Sequence, residues 1–382
     1  MKKIILIPDS FKGTMSSAEI CGIMESRIKQ YYPDAEILKY PVADGGEGSV
    51  DAFLTALGGE KVYLTVKGPY MEDVDCYYGL IENGRTAVIE MAACAGLPLV
   101  GDNRCPDKTT TFGVGQLIEN AALEKGCKKI ILCIGGSATN EMGAGAAAAL
   151  GIDFYDESEN RFVPVGGTLS KIKRIDKSRM LSCLHGVEFI TMCDINNPLY
   201  GENGAAYVFS PQKGADAEMV KFLDGQLMAA SDAIKRELSI DVSNIPGAGA
   251  AGGMGGGTVA FFNSKLQMGI ETILETVNFD EAAKAADLII TGEGKLDKQS
   301  LSGKVVIGVA RRAKKLDVPV VAIVGDIGDD IEAVYEEGVS AVFSINRVAV
   351  DFSEAKKRSR SDLDLTIDNL CNFMKKMSLH IM

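Results

Sequence analysis

Apolar residues along this chain follow two patterns that alternate with each other. Short continuous apolar runs, such as "KKIILIP" at residues 2–8 and "DLII" at residues 287–290, are typical of strands buried in a parallel sheet. The segments "SSAEICGIMESRIKQYY" at 16–32 and "KVVIGVARRAKKL" at 304–316 carry apolar residues at helical spacing instead. Strands that alternate with helices predict a parallel sheet with helical crossovers, so the expected fold class is α/β.

The middle of the chain shows a different pattern. "EKVYLTVKG" at 60–68 and "DVDCYYGLIENGRTAVIEMA" at 73–92, which contains an "ENGR" turn, predict antiparallel strands. From about residue 285 the alternation of strands and helices returns. We therefore predict two α/β domains. One is Rossmann-like, with a parallel sheet built from both chain termini (residues 1–62 and 283–382), and the other is an inserted mixed α/β domain (residues 63–282).

Composition and charge exclude several classes of protein. The 382 residues suffice for two domains. A formal net charge of -12 at pH 7 argues against binding nucleic acid, and the basic cluster "KKRSR" at 356–360 is expected to be a solvated surface. Nine cysteines without a C-x-x-C pair, and only two histidines, favour neither a disulfide framework nor a zinc site. No apolar run reaches the roughly 18 residues of a membrane span, so we expect no membrane partner and a cytoplasmic location.

Several loops that follow predicted strands share one composition. Each combines glycine with a carboxylate, a hydroxyl or a lysine: "PDSFKG" (8–13), "ADGGEG" (43–48), "GGSATN" (135–140), "CDINNPLYG" (193–201) and "TGEGKLDKQS" (291–300). Ligands of an open parallel sheet bind outside the carboxyl ends of its strands. Glycine lets backbone N–H groups approach an anion closely. These loops therefore predict a site for anionic ligands.

A glycine-dense stretch and the scarcity of histidine narrow the chemistry further. "PGAGAAGGMGGG" at 246–257 matches G-x-G-x-x-G, but no clear strand precedes it and no helix is expected after it, which argues against a dinucleotide fingerprint. We expect this backbone to wrap phosphate groups, with a flexible linker as the alternative. With two histidines in the chain, a general base is expected to be a carboxylate or a lysine. Glycine, acids and lysine in such loops resemble a phosphoryl-transfer site.

Seven motifs, in their order along the chain, resemble those of the bacterial ATP-dependent glycerate kinases. They are "PDSFKGTMSS", "PVADGGEG", "TTTFGVGQLI", "GGSATNEMG", "CDINNPLYGENGAA", "PGAGAAGG" and "TGEGKLDKQSLSGK". The resemblance runs from Lys2 to about Leu370. It implies phosphorylation of D-glycerate by ATP with Mg²⁺, two α/β domains with the active site in the cleft between them, and usually 2-phosphoglycerate as the product. Glu141 and Val306 depart from the family pattern, which more often has Asp and Pro there.

The resemblance and the chemistry of the loops suggest roles for individual residues. Lys12, Asp44 and Asp194 are the expected catalytic residues: Lys12 would neutralise a phosphate or the glycerate carboxylate, and Asp44 would contact substrate or metal. Glu293 and Asp297 are the expected Mg²⁺ ligands. The remaining candidates are expected to bind substrate or nucleotide: Ser10, Gly45, Gly46, Arg104, Ser137, Thr139, Asn140, Asn197, Gly249, Gly252, Gly253 and Lys304.

Structural roles remain alternatives for several of these residues. The carboxylates could cap helices or form turns, and Lys12 could be a solvated surface residue. Arg104, with Thr110 and Thr111 just before a helix, could hold a small carboxylate or have a structural role. Glu47 is expected to be the lesser partner of Asp44, placed to stabilise the start of the next helix.

Other functions compete with glycerate phosphorylation at the level of sequence. A kinase for another small hydroxy acid would use the same loops. A non-catalytic sensor of sugar acids or nucleotides would not need so many acids and lysines among its glycines. A phosphatase or phosphosugar isomerase would use the carboxylates without a nucleotide site. The expected partners are glycerate and ATP, and the protein is expected to be a monomer or a homodimer.

Overall fold

The fold is known from a computed structural model that describes residues 1–42, 45–302 and 304–381. Its strands, in chain order, are β1 (Lys3–Pro8), β2 (Glu36–Lys39), β3 (Glu60–Lys67), β4 (Asp73–Ile81), β5 (Thr86–Glu90), β6 (Lys129–Cys133), β7 (Asp153–Tyr155), β8 (Arg161–Phe162), β9 (Arg174–Asp176), β10 (Glu188–Met192), β11 (Lys265–Gln267), β12 (Leu288–Gly292), β13 (Lys295–Leu296), β14 (Val320–Val324), β15 (Asp326–Ile327) and β16 (Val339–Ser344).

The α-helices are interspersed with these strands along the chain. They are α1 (Ser17–Tyr31), α2 (Ser49–Leu57), α3 (Ala92–Ala95), α4 (Leu97–Val100), α5 (Phe112–Glu119), α6 (Ala144–Ala149), α7 (Ala205–Phe209), α8 (Ala217–Leu238), α9 (Ala250–Phe262), α10 (Gly269–Thr276), α11 (Phe279–Ala283), α12 (Val305–Lys314), α13 (Ala333–Glu336) and α14 (Phe352–Ile381). Short 3₁₀ turns also occur, of which Pro211–Lys213 and Lys298–Ser302 matter for the site.

The chain divides into two compact units. The first, here called the terminal unit, comprises Met1–Ala43, Thr55–Leu57 and Ile270–Met382. The second, the central unit, comprises Asp44–Leu54 and Gly58–Gly269. The domain boundaries drawn from the sequence remain a prediction.

The terminal unit contains a five-stranded sheet in the order β16-β14-β12-β1-β2. All its neighbouring strands are parallel, and β1 from the chain's start lies beside β12 from its last third. Ile4, Leu6 and Ile290 pack in one apolar cluster with Met24 of α1 and Leu363 of α14. The sequence prediction of a parallel sheet built from both termini is confirmed.

The central unit contains a mixed six-stranded sheet in the order β11-β10-β6-β5-β4-β3. Strands β3, β4 and β5 pair antiparallel, and β5, β6, β10 and β11 pair parallel, so the mixed α/β class is confirmed. Glu82 and Asn83 at the "ENGR" turn take left-handed φ angles of 53° and 56°. A small sheet, β8-β7-β9, belongs to the same unit. No helix in the described part of the chain is both long and apolar enough to cross a membrane.

The structure of the glycine-dense stretch contradicts the prediction that no helix would follow it. Helix α9 runs through Ala250–Phe262, with left-handed residues at 251–253 near its start. A Cβ at Gly257 would lie 1.7 Å from the carbonyl oxygen of Met142, and one at Gly255 would lie 2.1 Å from that of Gly247. These glycines therefore let a buried helix pack against neighbouring backbone, which explains a composition that resembles a loop. The alternative of a flexible linker is wrong.

Candidate active site

In the terminal unit, two glycine-containing loops leave neighbouring strands. Pro8 at the end of β1 lies in register with Gly292 at the end of β12, and the Asp9 amide donates to the Gly292 carbonyl at 2.8 Å. A Cβ on Gly294 would lie 3.6 Å from the Lys12 backbone nitrogen. The two loops are therefore in contact at the carboxyl edge of the sheet, where the sequence predicted a site.

Lys12 and Ser10 belong to the first of these loops. Phe11 and Met15 exchange backbone hydrogen bonds of 2.9 and 3.1 Å, and Gly13 between them has a φ of 76°. This tight turn leaves Lys12 exposed. The Ser10 amide donates to the Asp9 carboxylate at 2.6 Å, which orders the start of the turn.

Glu293 is the most perturbed carboxyl group of the terminal unit. Its side chain is buried, and burial raises its pKa to about 7. Ser300, through a hydrogen bond, and Lys304, through its charge, oppose that rise, whereas the charges of Asp9 and Asp297 add to it. Within the residues that the structure describes, Glu293 Oε1 has no hydrogen-bond partner. The structure thus brings Glu293, Asp297 and Lys304 together.

These carboxylates are compatible with Mg²⁺. The described residues contain no cluster of three or more acids, histidines or cysteines able to hold a metal by themselves. Mg²⁺ is usually bound through one or two carboxylates together with phosphate oxygens and water, so it does not need such a cluster. Glu293 Oε1, near Asp297 and without a partner in the part of the chain that the structure describes, fits that mode of binding.

A cavity of about 270 Å³ lies beside the Lys12 loop in the same unit. Its apolar wall includes Phe11, Ile345, Val350 and Phe352. Its charged lining consists of Lys12, Lys356 and one carboxylate, that of Asp326. Lys356 belongs to the basic cluster that the sequence indicated as a solvated surface. The cavity also borders Gly294, so it is continuous with the loop that carries Glu293.

In the central unit, the loop after β6 contacts a second glycine loop. The Gly135 amide donates to the Gly45 carbonyl at 2.9 Å, and a Cβ on Gly135 would lie 2.7 Å from the Gly46 Cα. Only glycine allows this approach of two backbones. Gly45 and Gly46 are thereby brought next to the segment that carries Ser137, as the sequence predicted for strand-end loops.

Thr139 and Asn140 are buried polar residues whose side chains lack partners. They are 1% and 0% exposed. In the described part of the chain, neither Thr139 Oγ1 nor the two polar atoms of the Asn140 amide has a hydrogen-bond partner. Nearly all buried polar groups in proteins are paired, so this arrangement indicates a place where a ligand or ordered water completes the bonds.

Glycines close around the backbone of these two residues. A Cβ on Gly252 would lie 2.0 Å from the Thr139 carbonyl oxygen, and one on Gly166 would lie 3.1 Å from that of Asn140. A Cβ on Gly253 would lie 3.0 Å from the Leu199 side chain. The close approach seen at Gly252 and Gly253 is therefore to the chain itself, and contact with a nucleotide there remains a prediction.

Glu141 is entirely buried and bonded to its own chain. Its carboxylate accepts hydrogen bonds from the Thr111 amide at 3.1 Å, the Thr111 hydroxyl at 2.5 Å and the Gly145 amide at 2.7 Å. Burial raises its pKa to about 7 against these hydrogen bonds. Glu141 therefore fixes Thr111 and the start of α6, and with them the segment after Asn140.

Lys213 was not among the site residues predicted from the sequence. It ends the turn Pro211–Lys213, is 2% exposed, and donates through Nζ to Ser137 Oγ at 2.8 Å and to the Thr139 carbonyl at 2.6 Å. Burial lowers its pKa to about 7, and the charge of Glu141 opposes that change. A lysine in a Pro-Gln-Lys-Gly turn has the composition of a solvated loop, so the local sequence contains no signal that it is buried.

Arg104 supports the same turn. It donates through Nε to the Gly101 carbonyl at 2.9 Å and through Nη1 to the Gln212 carbonyl at 3.0 Å. Gly214, with a φ of 98°, packs so closely that a Cβ would lie 2.5 Å from the Arg104 Cβ. These contacts hold the backbone beside Lys213, and a contact between Arg104 and substrate remains a prediction.

The loop after β10 carries Asp194 and Asn197. Asp194 is exposed, and its Oδ1 accepts a hydrogen bond of 2.7 Å from the Gly269 amide at the start of α10. Asn197 donates through its side-chain amide to the Asn203 carbonyl at 2.8 Å, and its own carbonyl accepts from the Gly249 amide at 3.0 Å. The structure thus brings Asn197 and Gly249 together.

Asp44, the leading candidate for a base, lies outside the described residues. Glu47, three positions further on, is exposed. The carboxylate observed at the start of α2 is that of Glu90, which accepts a hydrogen bond of 2.7 Å from the Val50 amide. Burial raises the pKa of Glu90. Glu90 lies 40 residues after Val50, in a buried strand. The local sequence pattern around residue 44 therefore did not indicate its role.

Strand-end loops that contain glycine, buried polar groups and lysines are typical of α/β proteins that bind small anions. Comparison with known proteins agrees with this class and identifies one family within it. The model of the glycerate kinase family matches residues 4–375. The chain belongs to that family.

Individual relatives match over nearly their whole length. A glycerate kinase of Bacillus cereus is 44% identical over 374 residues, which are 98% of this chain and 98% of the relative. A glycerate 2-kinase of Escherichia coli is 41% identical over 377 residues, which are 98% of this chain and 97% of the relative. A solved structure from Salmonella typhimurium, assigned as a glycerate kinase 2, is 40% identical, covers 99% of both chains and has a TM-score of 0.88.

Proposed function

We propose that this protein is a glycerate kinase that transfers the γ-phosphoryl group of ATP to a hydroxyl of D-glycerate. The proposal rests on the buried side chains of Thr139 and Asn140, whose polar atoms have no partners among the described residues. It rests also on the family match, which extends over residues 4–375. The two side chains offer hydrogen bonds to a small polar ligand. The 41% identity to a relative named glycerate 2-kinase supports the 2-hydroxyl as the acceptor.

The reaction forms one bond and breaks one. The glycerate hydroxyl oxygen attacks the γ-phosphorus, an O–P bond forms, and the bond to the β,γ-bridging oxygen breaks, so that ADP leaves with the electron pair. The hydroxyl proton passes to a carboxylate or to water. Asp44 and Asp194 are the candidates for that proton because the chain has only two histidines. Mg²⁺, when bound, would neutralise charge on the phosphates.

We assign the phosphates of ATP to the terminal unit. Lys12 and Lys304 supply positive charge there, and Glu293 with Asp297 would hold Mg²⁺. The neighbouring cavity of about 270 Å³ has an apolar wall that suits a nucleoside, and two lysines against one aspartate in its lining leave a net positive charge for the attached phosphates. The hydroxy acid is assigned to the central unit, where Ser137, Thr139 and Asn140 lie. A cytoplasmic location, where ATP is supplied, is part of this proposal.

An ADP-release assay tests the proposal. Release of ADP is measured with D-glycerate, glycolate, lactate and tartronate as acceptors, with and without Mg²⁺. We expect turnover with D-glycerate, dependence on Mg²⁺, and much lower kcat/KM with the other acids. Turnover with another acid alone would indicate a different hydroxy acid kinase. Tight binding of glycerate or ATP without any ADP would indicate a sensor.

A further inference from the structure

Lys213 is a buried lysine of the central unit, and among the described residues no ion pair to it is seen. Both of its observed hydrogen bonds, to Ser137 Oγ at 2.8 Å and to the Thr139 carbonyl at 2.6 Å, go to uncharged oxygens. These bonds use two of the three hydrogens of an ammonium group. A buried charge is costly unless an opposite charge compensates it, so an anion is the natural further partner of this side chain.

The loop that Lys213 contacts carries the unpartnered groups of the site. Thr139 accepts from Lys213 through its carbonyl, whereas its hydroxyl has no partner, and the adjacent Asn140 amide has none either among the described residues. Together they offer a hydroxyl donor, an amide donor, an amide acceptor and an ammonium group. A carboxylate can accept from all three donors, and a neighbouring alcohol can donate to the amide oxygen. That combination matches a small hydroxy acid.

The position of Lys213 is fixed before any ligand binds. Arg104 donates to the Gln212 carbonyl at 3.0 Å, and Gly214 packs against Arg104 on the other side of Lys213. Glu141, at the end of the same loop as Asn140, is held by Thr111 and Gly145. An ammonium group that is already held in place loses less conformational entropy when a ligand binds, which favours a specific ligand site.

We propose that Lys213, together with Thr139 and Asn140, forms the binding site for the carboxylate of the hydroxy acid substrate. The proposal rests on the proposed glycerate kinase activity only for the identity of that acid. It adds a residue that the sequence did not suggest, and it separates the carboxylate site from the phosphate site of the terminal unit. Lys213 is a substrate-binding residue in this account, not an acid or base.

Binding of a carboxylate at this site should change the protonation of the Lys213 amine. Burial lowers the pKa of the Lys213 ammonium to about 7, so the amine is partly neutral at pH 7.5 without ligand. The charged groups on the neighbouring segments include Glu141, whose charge raises the pKa of Lys213, and Arg104, which donates to the Gln212 carbonyl. Asp107, whose Oδ1 is buried without a partner among the described residues, lies next to the Asn140 carbonyl, on the far side of Gly166. A carboxylate placed beside the amine favours its charged form. Glycerate binding should therefore take up a fraction of a proton, which a purely structural lysine would not do.

Calorimetry of glycerate binding to the full chain tests this. D-glycerate is titrated without ATP at pH 7.5 in buffers that differ in ionisation enthalpy, and the slope of the apparent enthalpy gives the protons taken up. We expect a positive slope for the wild type. In Lys213→Met, which keeps a long unbranched side chain, we expect no uptake and a Kd higher by roughly 10- to 100-fold, the scale of a lost charged hydrogen bond.

Control variants show whether Lys213 or Glu141 takes up the proton when glycerate binds. Lys221→Met removes an exposed lysine of α8 and should leave both Kd and proton uptake unchanged. If uptake persists in Lys213→Met and vanishes in Glu141→Gln, Glu141 is the acceptor and the inference is overturned. It is also overturned if Lys213→Met lowers the melting temperature but leaves glycerate affinity intact, because the lysine is then structural.

Ligands without a carboxylate complete the test. Glycerol and glyceramide should bind the wild type far more weakly than D-glycerate, and Lys213→Met should remove most of that difference. Weaker binding of ATP with unchanged glycerate binding in Lys213→Met would place a phosphate beside Lys213 and overturn the inference. Normal glycerate turnover by Lys213→Met would overturn it while leaving the proposed activity intact. Proton-linked binding of glycerate without turnover would uphold it while the proposed activity fails.

Discussion

Replacing Asn140 with leucine should make the unliganded protein more stable and the enzyme much less active. The Asn140 side chain is 0% exposed, and none of its polar atoms has a partner in the described part of the chain. A buried amide without partners costs about 1–3 kcal/mol. Leucine has a similar shape and no polar atoms, so Asn140→Leu should raise the free energy of unfolding by about 1 kcal/mol.

The same substitution removes hydrogen bonds to the substrate. A hydrogen bond to a charged ligand contributes about 1.5–3 kcal/mol, so kcat/KM for glycerate should fall by roughly 10- to 150-fold. Urea unfolding without ligand measures the first effect, and the ADP-release assay measures the second. Glycerate should raise the melting temperature of the wild type and have little effect on the variant, because only the wild type binds it.

Asn120 provides a matched control. Its amide oxygen accepts a hydrogen bond of 2.8 Å from the hydroxyl of the buried Tyr78. Asn120→Leu leaves that hydroxyl unpaired, so it should lower the free energy of unfolding by about 1–3 kcal/mol without changing kcat/KM. The two asparagines are thus predicted to have opposite effects on stability. If Asn140→Leu instead loses stability and keeps its activity, the amide does not face the ligand and our interpretation of the loop is refuted.

Three further substitutions or treatments test separate parts of the account. Asp44→Asn should lower kcat by roughly 100-fold or more at an unchanged melting temperature, the scale of a lost general base, and near-normal activity would reject Asp44 as a catalytic residue. Burial raises the pKa of Glu141 from 4.5 to about 7, so its contribution to stability is present at low pH and is lost as pH rises through 7. Relative to Glu141→Gln, the unfolding free energy of the wild type should therefore fall, on the order of 3 kcal/mol, between about pH 5 and pH 8, and a constant difference would contradict this. Phe352→Ala should raise the KM for ATP several-fold with an unchanged KM for glycerate, and an equal change in both would argue against a nucleoside in the cavity.

Much of the fold could be predicted because it rests on long, regular patterns. Buried apolar runs such as the one in β1 can be recognised in a sequence, because a strand that is covered on both faces has apolar residues at nearly every position. The pairing of β1 with β12 confirms a sheet built from both termini. Helix α9 was missed because its glycines allow contact with the Met142 backbone, and such contact between distant segments has no local sequence pattern.

The candidate site was predictable in part for the same reason. Loops after strands could be found by composition, and the structure brings Gly45 and Gly46 against Gly135 as expected. Lys213 and Glu90 could not be found this way, because each lies far along the chain from the loop or helix it contacts. Their burial is a tertiary property: a turn lysine and a strand glutamate look like surface residues until the chain folds around them.

Identification of the phosphorylated product shows whether the protein is a glycerate kinase. The protein is incubated with D-glycerate, ATP and Mg²⁺, and the products are followed by ³¹P NMR, with enolase added to a parallel sample. We predict that ADP and 2-phosphoglycerate appear in equal amounts and that enolase consumes the product without added phosphoglycerate mutase. A product that enolase consumes only after the mutase is added would show the 3-phosphate. Inorganic phosphate without phosphoglycerate, or no loss of ATP, would contradict the assignment as a glycerate kinase.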